Sequence, residues 1–276
     1  MVRLLWHLDE SEVQAWDSDG SATSEYWEAA QEPLATAVTL LHQACEFLIK
    51  GLICEVSPYL LISQSPNKWP SGCSTKDISF SEYRTVDAQD LVKIANTVCE
   101  ERLPETFITL LDRIRRDRNK LTHTAKSGVV LIPENILKDI LNTYSLLVHS
   151  TGWVEQRRIY LSNNYETIVY SSDHINCYYS WELLKVSSLL SPSEVNKYFG
   201  FNKKQRAYIC PACDCIEKFK VAYLYPNKPD SESLSCIICG KSLPVVRKSC
   251  KYCRGNVLSK SNVCLLCGSP NEIIKL

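Results

Sequence analysis

Two sets of residues in this chain have types and spacings that suit chemistry. Arg118 to His123 reads Arg-Asn-Lys-Leu-Thr-His, within the otherwise helical stretch from Glu105 to Lys126. A guanidinium, an amide and an imidazole within six residues form a kit for cleaving RNA without a metal. Toward the other end stand four Cys-x-x-Cys pairs: Cys210/Cys213, Cys236/Cys239, Cys250/Cys253 and Cys264/Cys267. Two intervening residues let both thiolates of a pair reach one tetrahedral ion at about 2.3 Å. Gly240 and Gly268 each follow the second cysteine of a pair, where a tight turn needs positive φ.

The pairs resemble a tandem zinc ribbon holding two structural Zn²⁺. In chain order, Cys210, Cys213, Cys236 and Cys239 hold one ion, and Cys250, Cys253, Cys264 and Cys267 the other. A cross-braced pairing of first with third remains open, and Cys215 is a spare beside the first pair. Four thiolates leave no position for water, so both sites are expected to be structural. An iron–sulfur cluster or a redox switch is the competing reading. Cys45, Cys54, Cys73, Cys99 and Cys177 lack paired spacing and read as small buried apolar residues.

The elements that must position these groups are mostly helical. Residues 33–54 place apolar side chains at 34, 37, 38, 41, 45, 48, 49 and 52, a helical period. Residues 64–79, with Pro66, Pro70 and Gly72, read as a loop. Residues 87–100 form a shorter helix. Pro104-Glu105 opens the helix carrying the hexapeptide, and Pro133-Glu134 opens another. Four such helices predict a bundle. Arg158 to Tyr170 has the alternation and β-branching of strands, although it also suits a continuing helix. Asp173 to Leu190 is helical by pattern. Ser191-Pro192-Ser193-Glu194 is a capping box, and Gly200 is a stop. Short β-like runs separate the cysteine pairs after Ala207. The expected fold is mostly α: a helical domain over 1–150, a connecting region over 151–205, and a small β-rich double zinc ribbon over 206–276.

On an ideal helix, Phe107, Leu110, Leu111, Ile114, Leu121 and Ala125 form one stripe, and Arg118 falls within it. Burying a charge without a partner is costly, so Arg118 needs a salt bridge or an interface. His123 lies about 140° from Arg118 around the same helix. The two converge only if the helix loosens near Thr122 or if two subunits pool their residues. Asn119 shares the face of His123 one turn earlier.

The hexapeptide, its helical setting and Cys45-Glu46-Phe47-Leu48-Ile49-Lys50 on an early helix resemble the HEPN superfamily over roughly residues 25–150. The resemblance implies a homodimer with both motifs facing one cleft. It implies metal-independent RNA cleavage, with the 2′-hydroxyl attacking the adjacent phosphorus to leave a cyclic phosphate. His123 would be general acid or base. Arg118 would neutralise the phosphorane, and Asn119 would orient His123 or the phosphate. Arg115, Arg116 and Lys120 would hold the RNA backbone. Such proteins include toxins and defence effectors, for which a regulatory protein is a further candidate partner. The bland alternatives pair Arg118 with an acid such as Glu46, make His123 a helix-end histidine, and leave the basic run a solvated face. The rival function is a non-catalytic adaptor that dimerises and docks nucleic acid or protein; a third makes the ribbons the functional centre of a transcription- or translation-associated protein.

Charge is neutral overall but unevenly spread. Residues 1–32 hold eight acids against Arg3, and residues 201–276 hold thirteen Lys or Arg against five acids. With eight thiolates on two Zn²⁺ the tail keeps a balance of about +4, which allows nucleic acid as a partner. No apolar run reaches roughly 18 residues, and the early acids do not suit a secretory signal. With cysteines at metal spacing, this leads to the expectation of a cytoplasmic protein without membrane partners.

Overall fold

The computed structural model describes residues 21–123, 130–148, 152–164, 167, 172–213, 215 and 218–271. They divide into two compact units, with the boundary between residues 149 and 150.

The first unit is helical: α1 (Ser21–Ala29), α2 (Gln31–Val56), α3 (Ala88–Val98), α4 (Glu105–His123) and α5 (Pro133–Leu147). Pro133 opens α5 at a position where its missing N–H costs nothing. The 26-residue α2 is the hub and lies against α3, α4 and α5. Its inner stripe of Leu34, Val38, Leu41, Cys45, Ile49 and Ile53 is buried. Leu91 of α3, Phe107 and Ile114 of α4 and Ile136 of α5 complete the same core. Gln31 ties the segment before α5 to α2: its amide donates to the Leu131 carbonyl at 3.1 Å and accepts from the Leu131 N–H at 2.8 Å. Between α2 and α3 the chain makes 3₁₀ turns at Pro58–Leu61, Pro66–Lys68 and Phe80–Glu82.

By length and composition α2 is apolar enough to cross a bilayer, although charged and polar residues interrupt its apolar run. The same residues make it the core helix of the bundle. Cys45 is buried as expected, its Sγ 3.8 Å from the Thr143 hydroxyl. Cys54 departs from that expectation, because it falls on the exposed side of α2.

The second unit contains α6 (Trp153–Asn163), α7 (Ser172–Ser188), α8 (Pro192–Phe199) and a four-stranded antiparallel sheet in chain order. Its strands are β1 (Tyr208–Ile209), β2 (Lys220–Leu224), β3 (Ser233–Cys236) and β4 (Ser242–Pro244). The strand-like alternation beginning at Arg158 gives way to helix through Asn163, while most of 164–170 lies outside the described residues. Tertiary bonds account for the override. Arg157 donates to both carboxylate oxygens of Glu182 at 2.8 and 2.7 Å, and the Tyr179 hydroxyl donates to the Val154 carbonyl at 3.0 Å. These bonds fasten α6 to α7, and an intrinsic strand preference is small beside them. The capping box is present in full: Ser191 Oγ accepts from the Glu194 N–H, and Glu194 Oε2 accepts from the Ser191 N–H. Gly200 ends α8 in the left-handed region.

Candidate metal centres and a cationic helix face

Each cysteine set is built from two turns. Cys210 and Cys213 follow β1, whereas Cys236 closes β3 and Cys239 sits in the β3–β4 turn. Their ligand atoms all lie within 4.8 Å of one another. Cys210 Sγ is 3.8 Å from Cys239 Sγ, and Cys213 Sγ is 3.7 Å from Cys236 Sγ. In the second set Cys250 and Cys267 are 3.8 Å apart, and Cys253 and Cys264 are 3.7 Å apart. Four sulfurs placed tetrahedrally about 2.3 Å from one ion lie about 3.8 Å from each other. The observed spacings therefore suit one ion per set. They are far beyond a disulfide bond of about 2.05 Å, and they leave no room for several irons and sulfides between the thiols.

The pairing is sequential: first pair with second and third with fourth, not cross-braced. Both sets are compatible with a structural zinc ion, closed to water by four thiolates. Gly240 and Gly268 have φ of 68° and 75°, as the turn argument requires. Cys215 stands outside both sets.

Backbone N–H groups surround the thiolates. Ile238 N–H donates to Cys236 Sγ at 3.4 Å, Tyr252 N–H to Cys250 Sγ at 3.3 Å, and Gly255 N–H to Cys253 Sγ at 3.3 Å. The buried Asn271 adds a side-chain bond to Cys250 Sγ at 3.4 Å. Such donors offset the excess negative charge of a four-thiolate site and orient its ligands. Asn271 carries no spacing signature, and sequence reasoning missed it.

The hexapeptide lies on α4, which stays helical through His123. Thr122 Oγ donates to the Arg118 carbonyl at 2.8 Å, so the chain does not loosen there. The regular helix puts positions 118 and 123 on different faces; the side chain of His123 lies outside the described residues. The core stripe runs through Phe107, Leu110, Leu111 and Ile114, Leu121 also packs against it, and Arg118 is half-buried between Ile114 and Leu121 in the chain. Arg118 Nη1 donates to Asn119 Oδ1 at 2.9 Å. Among the described residues Arg118 has no carboxylate within ion-pair distance. The alternative pairing with Glu46 is not observed, since Glu46 Oε1 lies 3.0 Å from His42 Nδ1, one turn earlier on α2.

The neighbouring cations are arranged differently. Arg115 meets Asp112 at 3.3 Å, Arg116 donates to the Asp112 carbonyl at 3.2 Å, and Lys120 is exposed. Arg113 is committed to α5 through a two-pronged bond to Asp139, at 2.8 and 2.5 Å. That hydrogen bonding pushes the Arg113 pKa up. Arg113 and Asp139 stand beside a small pocket of about 110 Å³, also lined by Val38, Ile114, Asp117 and Ile132.

Sequence reasoning also missed His42. It is 3% exposed, inside the helical core. Burial pushes its pKa down; Glu46 opposes that, and the positive charges of Arg118 and Arg115 add to it. Its Nδ1 is close to Glu46 but not aligned for a hydrogen bond. A buried imidazole, a carboxylate and two guanidinium groups thus interact across α2 and α4, beside the hexapeptide. The only local signal was the i,i+4 spacing of His42 and Glu46; the approach of α4 is tertiary.

No family model, curated protein or solved structure matches this chain.

Proposed function

We propose that the helical unit is a metal-independent endoribonuclease of HEPN type, acting as a homodimer, and that the zinc ribbons bind its RNA. The observation that carries this reading is the state of Arg118. Its recorded partner is the neutral amide of Asn119, at 2.9 Å. A half-buried guanidinium bonded to an amide keeps its charge for an outside anion, and its planar fork matches two phosphate oxygens. Asn119 would hold that fork in place. His123, about 140° around the helix, would act on RNA bound mainly by the partner protomer, as base toward the 2′-hydroxyl or acid toward the leaving 5′-oxygen. Arg115, Arg116 and Lys120 would contact flanking phosphates.

The test is incubation of purified protein with mixed RNA during a brief EDTA exposure, alongside Arg118→Ala and His123→Ala. Cleavage leaving 2′,3′-cyclic phosphate ends, lost in both variants, is the expected result. A folded dimer that leaves RNA intact would turn the assignment toward the adaptor. The adaptor reading has its own supporting observation. Leu40 and Phe47 stand 59% and 70% exposed on the outer side of α2, with the exposed small residues Ala44 and Gly51 at helical spacing between and beyond them. A helix apolar on its outer side as well as its inner one suits a partner helix, and both readings use a dimer.

A further inference from the structure

The charge of the tail is not shared between the ribbons. Residues 207–244 hold four Lys or Arg and four acids. Residues 245–271 hold Arg247, Lys248, Lys251, Arg254 and Lys260 and no acid at all. Counting four thiolates and one divalent ion, the second ribbon keeps a balance of about +3 on 27 residues. Lys248, Arg254 and Lys260 are exposed, and none has a carboxylate partner among the described residues.

An aromatic residue falls between these cations in the chain, in the run Lys251-Tyr252-Cys253-Arg254. Tyr252, between the ligands Cys250 and Cys253, is 68% exposed. Its backbone is held firmly. Tyr252 N–H donates to Cys250 Sγ at 3.3 Å, and the preceding Lys251 N–H donates to Asn271 Oδ1 at 2.8 Å. Arg247 is anchored as well, donating to the Pro229 carbonyl at 2.5 Å. A large ring presented to solvent from a metal-pinned turn loses little freedom when something stacks on it.

We propose that the second ribbon is a single-stranded RNA platform, with Tyr252 stacking a base while Lys248, Arg254 and Lys260 meet the flanking phosphates. Stacking fits every base, and the cations follow the backbone, so binding would tolerate many sequences. The proposal deepens the reading of the protein as one that acts on RNA, and rests on it for the choice of ligand.

The experiment uses the full chain carrying His123→Ala, so that bound RNA stays intact. Fluorescence anisotropy follows its binding to a labelled single-stranded 12-mer RNA across a salt series, with zinc content measured for every variant. Tyr252→Ala is expected to weaken binding by about tenfold, and Tyr252→Phe to leave it nearly unchanged. Replacing Lys248, Arg254 and Lys260 together by Gln should reduce the slope of log affinity against log salt by about 2. Unchanged binding by a Tyr252→Ala chain that holds both zinc ions would overturn the platform, as would a preference for duplex over single-stranded RNA. A wild-type chain that cuts no RNA yet binds it through Tyr252 would sink the nuclease reading and leave the platform standing.

Discussion

Phe107, Leu91, Ile49 and Ile114 are almost wholly buried in one continuous apolar cluster that joins α2 to α5. The second ribbon, residues 245–271, buries Val245, Val257, Leu258 and Leu265 besides Cys250 and Cys264. Its ladder consists of isolated bridges at Val246–Leu258, Leu258–Cys264 and Val263–Pro270. The first ribbon is intermediate, with a four-stranded sheet and Val221, Leu224, Leu234 and Ile238 inside. Apolar burial contributes about 25 cal/mol per Å², and so small a cluster cannot offset the entropy of ordering 27 residues. The ion must supply the difference. The helical unit has no such need.

The strongest way to break this comparison is to remove zinc. A structural site contributes on the order of 10 kcal/mol of folding energy. Prolonged chelation should therefore abolish the tertiary contacts of the second ribbon and leave the helical unit folded. Amide NMR, or proteolysis with fragment mapping, reads both regions in one sample. Cys264→Ser should do the same selectively, retaining one zinc per chain and the sheet of the first ribbon. Cys215→Ser should retain two. Loss of α2–α5 protection on chelation would show that the units do not stand on separate supports.

The two bidentate ion pairs allow a finer comparison. Glu182 is 3% exposed against Arg157, while Asp139 is 13% exposed against an Arg113 that is itself 46% exposed. Removing one partner strands the other in proportion to its burial. Arg157→Ala should cost about 3 kcal/mol, whereas Arg113→Ala, with water at hand, should cost about 1 kcal/mol. Denaturant melts monitored separately in each unit measure both. Equal costs would mean that burial is not what separates the pairs.

The same contrast explains what could be read from the chain. The zinc ligands were legible because two cysteines three apart make half a site by local geometry alone. The Ser191 capping box and the helical stripe of α2 were legible for the same reason. The partition of four pairs into two sites is set by the fold: the β1–β4 sheet brings the turn after β1 to the turn after β3, which no spacing encodes. Residues from Arg158 onward carried a strand pattern that bonds to α7 overrule. Arg118 falls on the stripe between Ile114 and Leu121, which also packs against the core, yet it is half-buried and bonds to the Asn119 amide rather than to an acid, a choice of partner that helical spacing does not encode.

Gly255 tests how tightly the second ribbon is built around its ion. An added Cβ there would stand 3.0 Å from Leu266 Cβ, 3.1 Å from Cys253 Sγ and 3.2 Å from Cys264 Sγ. At Gly240 an added Cβ meets nothing within 4 Å, and only the positive φ opposes it. Gly240→Ala should cost about 1 kcal/mol through backbone strain. Gly255→Ala must move two ligands, so its expected effect is weaker zinc retention in a chelator competition. If both variants held zinc equally well, the second ribbon would be more yielding than its spacing implies.

The smallest expected effect concerns the imidazole buried in the helical unit. Burial lowers the His42 pKa below the ordinary value near 6.5, against the pull of Glu46 and with the help of Arg118 and Arg115. The unfolded chain therefore binds a proton at a pH where the folded chain does not. By linkage, the stability tied to this group is fully present above about pH 6.5. It falls as the pH drops from there toward the folded value. His42→Gln removes the titration and keeps a polar side chain of similar size. The helical unit of the wild type should lose more stability between neutral and mildly acidic pH than that variant does, with the second unit unaffected by the exchange. A parallel pH dependence in the two proteins would mean that His42 is already protonated when folded, held by Glu46 rather than repelled by the two arginines.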